Sequence, residues 1–342
     1  MEICHAYCDE SMWDAAVASV EALRASDPEL GRYVRVEKSV SDDPALRLND
    51  QKVVGVIVCL KAASLSPYKL VAWILEELLA THGNGTFNLQ TNSPVTRLQR
   101  LPRGAWIVHT PRGMIEAKQV LLATNAYTSY LLPRFSDLIT PVRGEMSALL
   151  PTRAVSAGLG TPFSGKRSYV FWGQSGPGFS GTNYLTQRPF SRTQHGNCVG
   201  GELMFGGGRQ LAPSFGVGID DDGEIDQPVA HYLRTVLNEV LCLENHGLEL
   251  TASHEWSGIM GYSKDGRPWV GQVPEEVGGG SGLWICAGFT GHGMPNASLC
   301  AKTVAYMMLG KDTTGTHLPK DFIISPQRVD EAKLYKDCDI IS

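Results

Sequence analysis

The stretch Gly282–Gly310, GLWICAGFTGHGMPNASLCAKTVAYMMLG, constrains the fold more than any other part of the chain. Leu283 to Ala287 is a short apolar run with aromatic and β-branched residues, the signature of a buried strand. A glycine-rich turn follows, in which Gly288, Gly291 and Gly293 permit a backbone that larger residues would block. From Pro295 the spacing predicts a helix: Ala297, Cys300, Ala301, Val304 and Met308 recur on one face, and Gly310 ends it. Strand, turn and helix in that order bring unpaired N–H groups and the positive end of a helix dipole to one point at a sheet edge. An electron-rich group is expected there, although the same pattern also fits a plain β-α unit with a loose turn.

At 342 residues the chain is long enough for two domains, or for one domain with a second inserted into it. Its net charge of −5 offers no basic surface for nucleic acid or acidic membranes. A small neutral or cationic ligand is the expected partner. The eight cysteines show no paired spacing of the zinc-ribbon kind, and Cys4, His5 and Cys8 lack a second pair to complete a tetrahedral site, so no metal is expected. Cys59, Cys286 and Cys300 lie in apolar stretches and read as core residues of a reducing compartment. The first residues are polar and acidic, with no apolar segment of signal or membrane length, so a cytoplasmic location is expected.

Taken in order, Ser11 to Ser26 predicts an amphipathic helix, and residues 27 to 51 read as surface loops and short turns. Val53 to Leu60 suits a strand, and a helix opening at Ser66 and Pro67 is closed by Gly83. Phe87 to Gln90 and Val95 to Leu98 look strand-like; Ala105 to Thr110 and Met114 to Ala123 follow, separated by turn sequences, as a meander returning to a buried strand. Asn125 closes that strand where ligands of open α/β sheets bind, and is a candidate ligand contact or an ordinary Asx turn. From Pro141 to about His254 the pattern changes to short antiparallel strands with a helix near 228 to 242. This predicts a second domain inserted into the first. Gly206 to Arg209 reads as a bulge or close backbone approach, not a phosphate loop, because neither Lys-Ser/Thr nor a helix follows. Arg209 remains a candidate substrate-pocket residue, as does Tyr262.

With these pieces in place the chain resembles the D-amino-acid-oxidase-like family of FAD-dependent oxidoreductases, in particular its sarcosine, glycine and γ-glutamylputrescine oxidases. SLSPYKLVAWILEELL, QVLLATNAYTSYLLP with PVRGEM, EWSGIMGYSKDGRPWVG, and GLWICAGFTGHGM carry the likeness, in the family's order. The resemblance implies an α/β fold, α+β overall. Residues 53–140 and 256–342 would form a FAD-binding parallel-sheet domain, and 1–52 and 141–255 a mostly antiparallel substrate domain. It places Val95 at the adenine end of a non-covalent FAD, Ala123 and Asn125 beside its phosphate and ribose, and Gly288, Gly291, His292, Gly293 and Met294 under the pyrimidine ring. The implied activity is oxidation of a C–N bond in a secondary amine or amino-acid-like compound, in specialised metabolism. His292 is read as a cofactor contact or a buried structural histidine, and no residue is assigned as catalytic.

The sequence also departs from that family. Residues 1 to 60 hold no Gly-x-Gly-x-x-Gly turn, so the first βαβ unit of the cofactor domain is absent and the pyrophosphate loses its expected donors. Pro295 stands where sarcosine-type enzymes carry a lysine for the substrate carboxylate. Gly258 stands where some members attach FAD covalently. A truncated homologue that binds FAD weakly, or completes its sheet with a partner chain, is the alternative expectation.

Overall fold

The computed structural model describes residues 1–83, 85–150, 166–173, 181–192, 198–243 and 249–335. Single-turn helices and one two-residue strand pair aside, the order is β1 (Glu2–Tyr7), α1 (Glu10–Ser26), β2 (Val34–Glu37), β3 (Gly55–Cys59), α2 (Pro67–His82), β4 (Arg97–Arg100), β5 (Trp106–Thr110), β6 (Gly113–Ala117) and β7 (Val120–Leu122). There follow β8 (Ile139–Leu149), β9 (Arg167–Trp172), β10 (Asn183–Gln187), β11 (Leu203–Gly207), α3 (Gln227–Thr235), β12 (Ala252–Ser263), β13 (Trp269–Gln272), β14 (Leu283–Ala287), α4 (Gly293–Met308) and α5 (Pro326–Ala332). The fold is mixed α/β. Its contacts divide into two discontinuous units, one of Met1–Leu70, Gly144–Phe215 and Asp222–Gly258, the other of Val71–Arg143, Gly216–Asp221 and Ile259–Ser342.

The first unit is built on an eight-stranded sheet in the order β12-β8-β11-β10-β9-β1-β3-β2. β1 runs parallel to β9, with Ile3 opposite Ser168 and Tyr7 opposite Trp172, and antiparallel to β3. The β2–β3, β9–β10, β10–β11 and β11–β8 pairs are antiparallel. Strand alternation sends Cys4, Ala6, Val56, Val58, Tyr169, Phe171 and Phe205 to one face, where Val229 and Leu233 of α3 close the core. On the other face Trp13 and Val20 of α1 pack on Ile57. An added Cβ at Gly206 would stand 2.3 Å from Met146 Sδ and 2.5 Å from the Tyr184 ring, so this glycine run is a close approach inside the sheet.

Three expectations need correction here. The polar-looking opening residues form a central strand, because only every second side chain of β1 has to be apolar to face the core. Cys4 and Cys8 enter that core, while His5 lies on the opposite face, where its Nδ1 accepts from Trp172 Nε1 at 3.0 Å. Burial holds the His5 imidazole below its ordinary pKa. Residues 27–51 are more than surface loops: they include β2, and Val40, Leu46 and Leu48 are buried in the core, with Tyr169 Oη donating to Leu46 O at 3.0 Å. The strand at 53–60 does not group with the residues up to 140. It is β3, hydrogen-bonded between β1 and β2 in the first unit.

The second unit contains a three-stranded sheet in the order β13-β14-β7, with β7 parallel to β14 and β13 antiparallel, and the separate meander β4-β5-β6. Phe87 to Gln90 form no strand, and Val95 lies two residues before β4 instead of inside a strand. β14 is apolar on both faces, as a covered strand must be. Leu283, Ile285 and Ala287 pack with Phe135, Leu138, Ile139 and Trp269, while Cys286 meets Cys300 and Val304 of α4. The buried face of α4 is Cys300, Thr303 and Val304; Ala301, expected there, is exposed.

α5 is fixed by Arg328, which forms a two-pronged pair with Asp265 (2.8 and 3.1 Å) and stacks its guanidinium 3.8 Å from the Trp269 ring centroid. Burial alone would raise the Asp265 carboxyl, but the hydrogen bonds and charge of Arg328 outweigh it and hold the group below the usual aspartate range. α2 is the exception to this packing. None of its residues is buried, and Trp73 is 58% exposed.

Candidate cofactor site

The parallel register sets Leu283 opposite Val120 and Ile285 opposite Leu122, so β14 and β7 end at the same edge of the three-stranded sheet. The chain leaves that edge twice, through Ala123–Asn125 and through Gly288–His292. Carboxyl ends of neighbouring parallel strands are where open α/β sheets bind ligands.

Asn125 joins the two exits. Its backbone is left-handed, φ +45°, a region asparagine tolerates better than most residues. Its side-chain Oδ1 accepts from the backbone N–H of Gly288 at 2.9 Å and of Phe289 at 3.3 Å. Both partners are donors, which fixes the accepting atom as the oxygen. Gly261 has to be a glycine beneath this clamp, because a Cβ there would stand 2.7 Å from both Asn125 Oδ1 and the Ala126 nitrogen.

Thr290 holds the middle of the turn. Its φ of +50° is an outlier for a β-branched residue, which persists only where surrounding contacts over-determine it. Those contacts are present: Thr290 N donates to Gly261 O at 2.8 Å, and Thr290 Oγ1 accepts from Ser263 N at 3.0 Å. His292 Nδ1 lies 2.8 Å from Thr290 O, an atom that can only accept, so Nδ1 carries a proton. In the neutral ring the lone pair is therefore on Nε2. His292 is exposed, which sets aside its reading as a buried structural histidine.

The glycines divide into two kinds. Gly288 and Gly291 have φ of +78° and +75°, but Gly293 opens α4 with an ordinary backbone, and a Cβ there would only touch Phe289 at 3.6 Å. The expectation that all three are conformationally required is corrected for Gly293. The helix starts two residues earlier than its apolar spacing indicates. The amide supply is also narrower than expected, since Gly288, Phe289, Thr290 and His292 spend their N–H groups inside the protein. Gly291, Gly293 and Met294 are the amides that no such bond uses among the described residues, and no side chain caps the start of α4.

Of the residues singled out from sequence, Ala123, Asn125, Gly288, Gly291, His292, Gly293 and Met294 meet at this edge. Tyr262 joins them, its hydroxyl 3.4 Å from where a Gly291 Cβ would stand. Val95 is half-buried in the approach to β4, and Arg209 belongs to the other unit, in the turn after β11. Thr290, Ser263 and Gly261 went unremarked in the sequence because their partnership joins a turn residue to the end of a distant strand and leaves no periodic trace.

The family profile described as FAD dependent oxidoreductase (DAO) matches residues 4–307. The chain belongs to this DAO family. A curated relative, the "Probable oxidoreductase OrdL" of Rhizobium meliloti (strain 1021), is 22% identical over 249 residues, covering 73% of this chain and 48% of its own. The chain therefore spans about half the length of that relative. Among solved structures, glycine oxidase from Geobacillus kaustophilus has a TM-score of 0.68 at 17% identity, over 95% of this chain and 74% of that one. L-proline dehydrogenase from P. horikoshii has a TM-score of 0.66 at 15% identity, over 98% and 78%. The fructosamine oxidase Amadoriase II from Aspergillus fumigatus has 0.67 at 13%, over 98% and 72%. At these identities the likeness is one of fold.

Members of the DAO family are FAD-dependent, and the residues here fit one part of that cofactor. Positive φ at Gly288 and Gly291, the Tyr262 hydroxyl as the one neighbour a Gly291 Cβ would meet, and the uncapped start of α4 suit the electron-rich edge of an isoalloxazine ring. Gly206–Gly208 offer a pyrophosphate no such cradle, since they are packed against Met146, Tyr184, Asn183 and Tyr232.

Proposed function

We propose that the chain is a FAD-dependent oxidase or dehydrogenase acting on a C–N bond of a secondary amine or amino-acid-like compound, in the tailoring of a specialised metabolite in the cytoplasm. The observation that carries this reading is the clamped turn at the shared carboxyl edge of β7 and β14, aimed at the uncapped start of α4. When bound, FAD supplies the hydride-accepting chemistry. Gly291, Gly293 and Met294 would offer amides to its electron-rich edge, and His292 would line the same ring. Val95, Ala123 and Asn125 would lie along its adenine, ribose and phosphate portion. Residues 71–143 and 259 onward are then the cofactor unit, with Tyr262 beside its turn, and the eight-stranded sheet, with Arg209 in the turn after β11, is the substrate unit. Neither nucleic acid nor membrane has a role in this reading.

A second reading is favoured by the partial coverage of the relatives and by the absence of a Gly-x-Gly-x-x-Gly turn within residues 1–60. In it the chain binds FAD weakly until a further strand-turn-helix segment, or a partner chain, supplies the pyrophosphate donors. Losing two or three charge-assisted hydrogen bonds weakens binding by at least about a hundredfold. The visible spectrum of the purified chain separates the two. Bound flavin that bleaches anaerobically with an N-methyl amine supports the first reading. Colourless protein that turns yellow when such a segment from a family member is fused ahead of residue 1 supports the second. No flavin binding by either form overturns both.

A further inference from the structure

Asn125 spends only half of its side chain on the turn. The oxygen takes the Gly288 and Phe289 amides, and this fixes the orientation of the carboxamide, because turning it over would face Nδ2 donors against N–H donors. The NH2 group is thereby held in one direction, and it donates to no group among the described residues. The side chain is half-buried at the edge where two strand exits meet, beside Gly261 and Gly288. A residue needed only to hold the turn could as well be an aspartate, whose two oxygens accept amide hydrogens more strongly. What asparagine adds is a pair of neutral donors.

We propose that Asn125 is two-sided: Oδ1 positions the Gly288–Gly293 turn, and Nδ2 donates a hydrogen bond to an oxygen acceptor of the bound flavin nucleotide. This rests on the cofactor reading above and adds to it a residue whose contribution to the turn and contribution to the ligand are separable by substitution. Asn125→Ala removes both. Asn125→Asp keeps an accepting oxygen for the turn and removes the donors.

The test uses the full 342-residue chain, with FAD as the probe. Hydrogen exchange at the Gly288 and Phe289 amides reports the clamp; a fluorescence titration with FAD at low and high salt reports the donor. Asn125→Ala is expected to exchange those amides at least about tenfold faster and Asn125→Asp at the wild-type rate. Both variants are expected to bind FAD about tenfold more weakly, one hydrogen bond's worth or slightly more. In Asn125→Asp part of the loss is charge repulsion, which salt screens; the remainder must persist at high salt. Wild-type exchange in Asn125→Ala overturns the clamp, and wild-type affinity of Asn125→Asp at high salt overturns the donor. Where only the form with the added segment binds FAD, the same titration is run on that form; if neither form shows saturable FAD binding, the cofactor reading and the donor fall together, and the clamp is still decided by exchange.

Discussion

Gly288 and Gly293 are one letter in the sequence and opposite in the structure. At Gly288 a Cβ would meet Trp269 at 3.0 Å and Ile139 at 3.3 Å, at a φ of +78° that an L-residue resists. Gly288→Ala should therefore cost about 2–4 kcal/mol, combining left-handed strain with overpacking. Gly293→Ala, on the first turn of α4, should be neutral or stabilising by up to about 1 kcal/mol. Urea unfolding of the two variants measures this, and equal destabilisation would show that the turn is not as described. The Asp265–Arg328 pair is the other residue-scale determinant, with side chains 5% and 9% exposed. Asp265→Asn should destabilise by about 3–5 kcal/mol, since it leaves a buried guanidinium without its counter-charge. A depressed carboxyl stabilises the fold above its unfolded pKa and loses that contribution as protons bind. Thermal stability should thus hold through neutral pH and fall once pH drops below the ordinary aspartate value of 3.8. In the Asn variant that part of the acid slope should be absent.

Among the helices, α1, α3 and α4 each bury one face, as their apolar spacing requires. α2 carries Leu70, Val71, Trp73, Ile74 and Leu79 exposed, with a shallow groove lined by Trp73, Ile74, Glu77, Leu78, Thr81 and His82. A helix with this many apolar residues normally buries a face. Since none of its side chains is buried here, replacing Trp73 and Ile74 by glutamate should change the unfolding free energy by no more than about 0.5 kcal/mol. The same change should reduce binding of a hydrophobic dye. A large loss of stability in that double variant would mean that α2 is packed in solution.

For the whole molecule, the cysteines give a reading that spans both units. Burial pushes the thiols of Cys4, Cys8 and Cys286 up to about 12, and raises those of Cys59 and Cys300, while Cys242 is exposed. A thiol reagent at mildly alkaline pH, with sites identified by mass spectrometry, should modify Cys242 quickly and Cys59 slowly. Cys4, Cys8, Cys286 and Cys300 should be reached only on unfolding, since the thiolate is the nucleophile. Rapid labelling of Cys4 and Cys8 would mean that β1 is not the central strand of the first unit. No helix among the described residues is long and apolar enough to cross a membrane.

What the sequence determined by itself was whatever repeats along the chain. The strand at 283–287, the glycine turn and the helix after it, and the meander near 97–117 were legible because apolar periodicity and glycine placement are local signals. β1 was hidden, since a strand of CHAYC type shows its apolar side only once a sheet face exists to receive it. Asn125 could be marked as a ligand contact or a turn residue but not resolved between them. Its oxygen meets amides more than 160 residues away, and that pairing exists only after β7 and β14 have aligned. The same holds for Thr290 with Gly261 and Ser263, and for Arg328 with Asp265. Each is a contact whose formation requires the sheet to be in register first, so tertiary structure alone decided it.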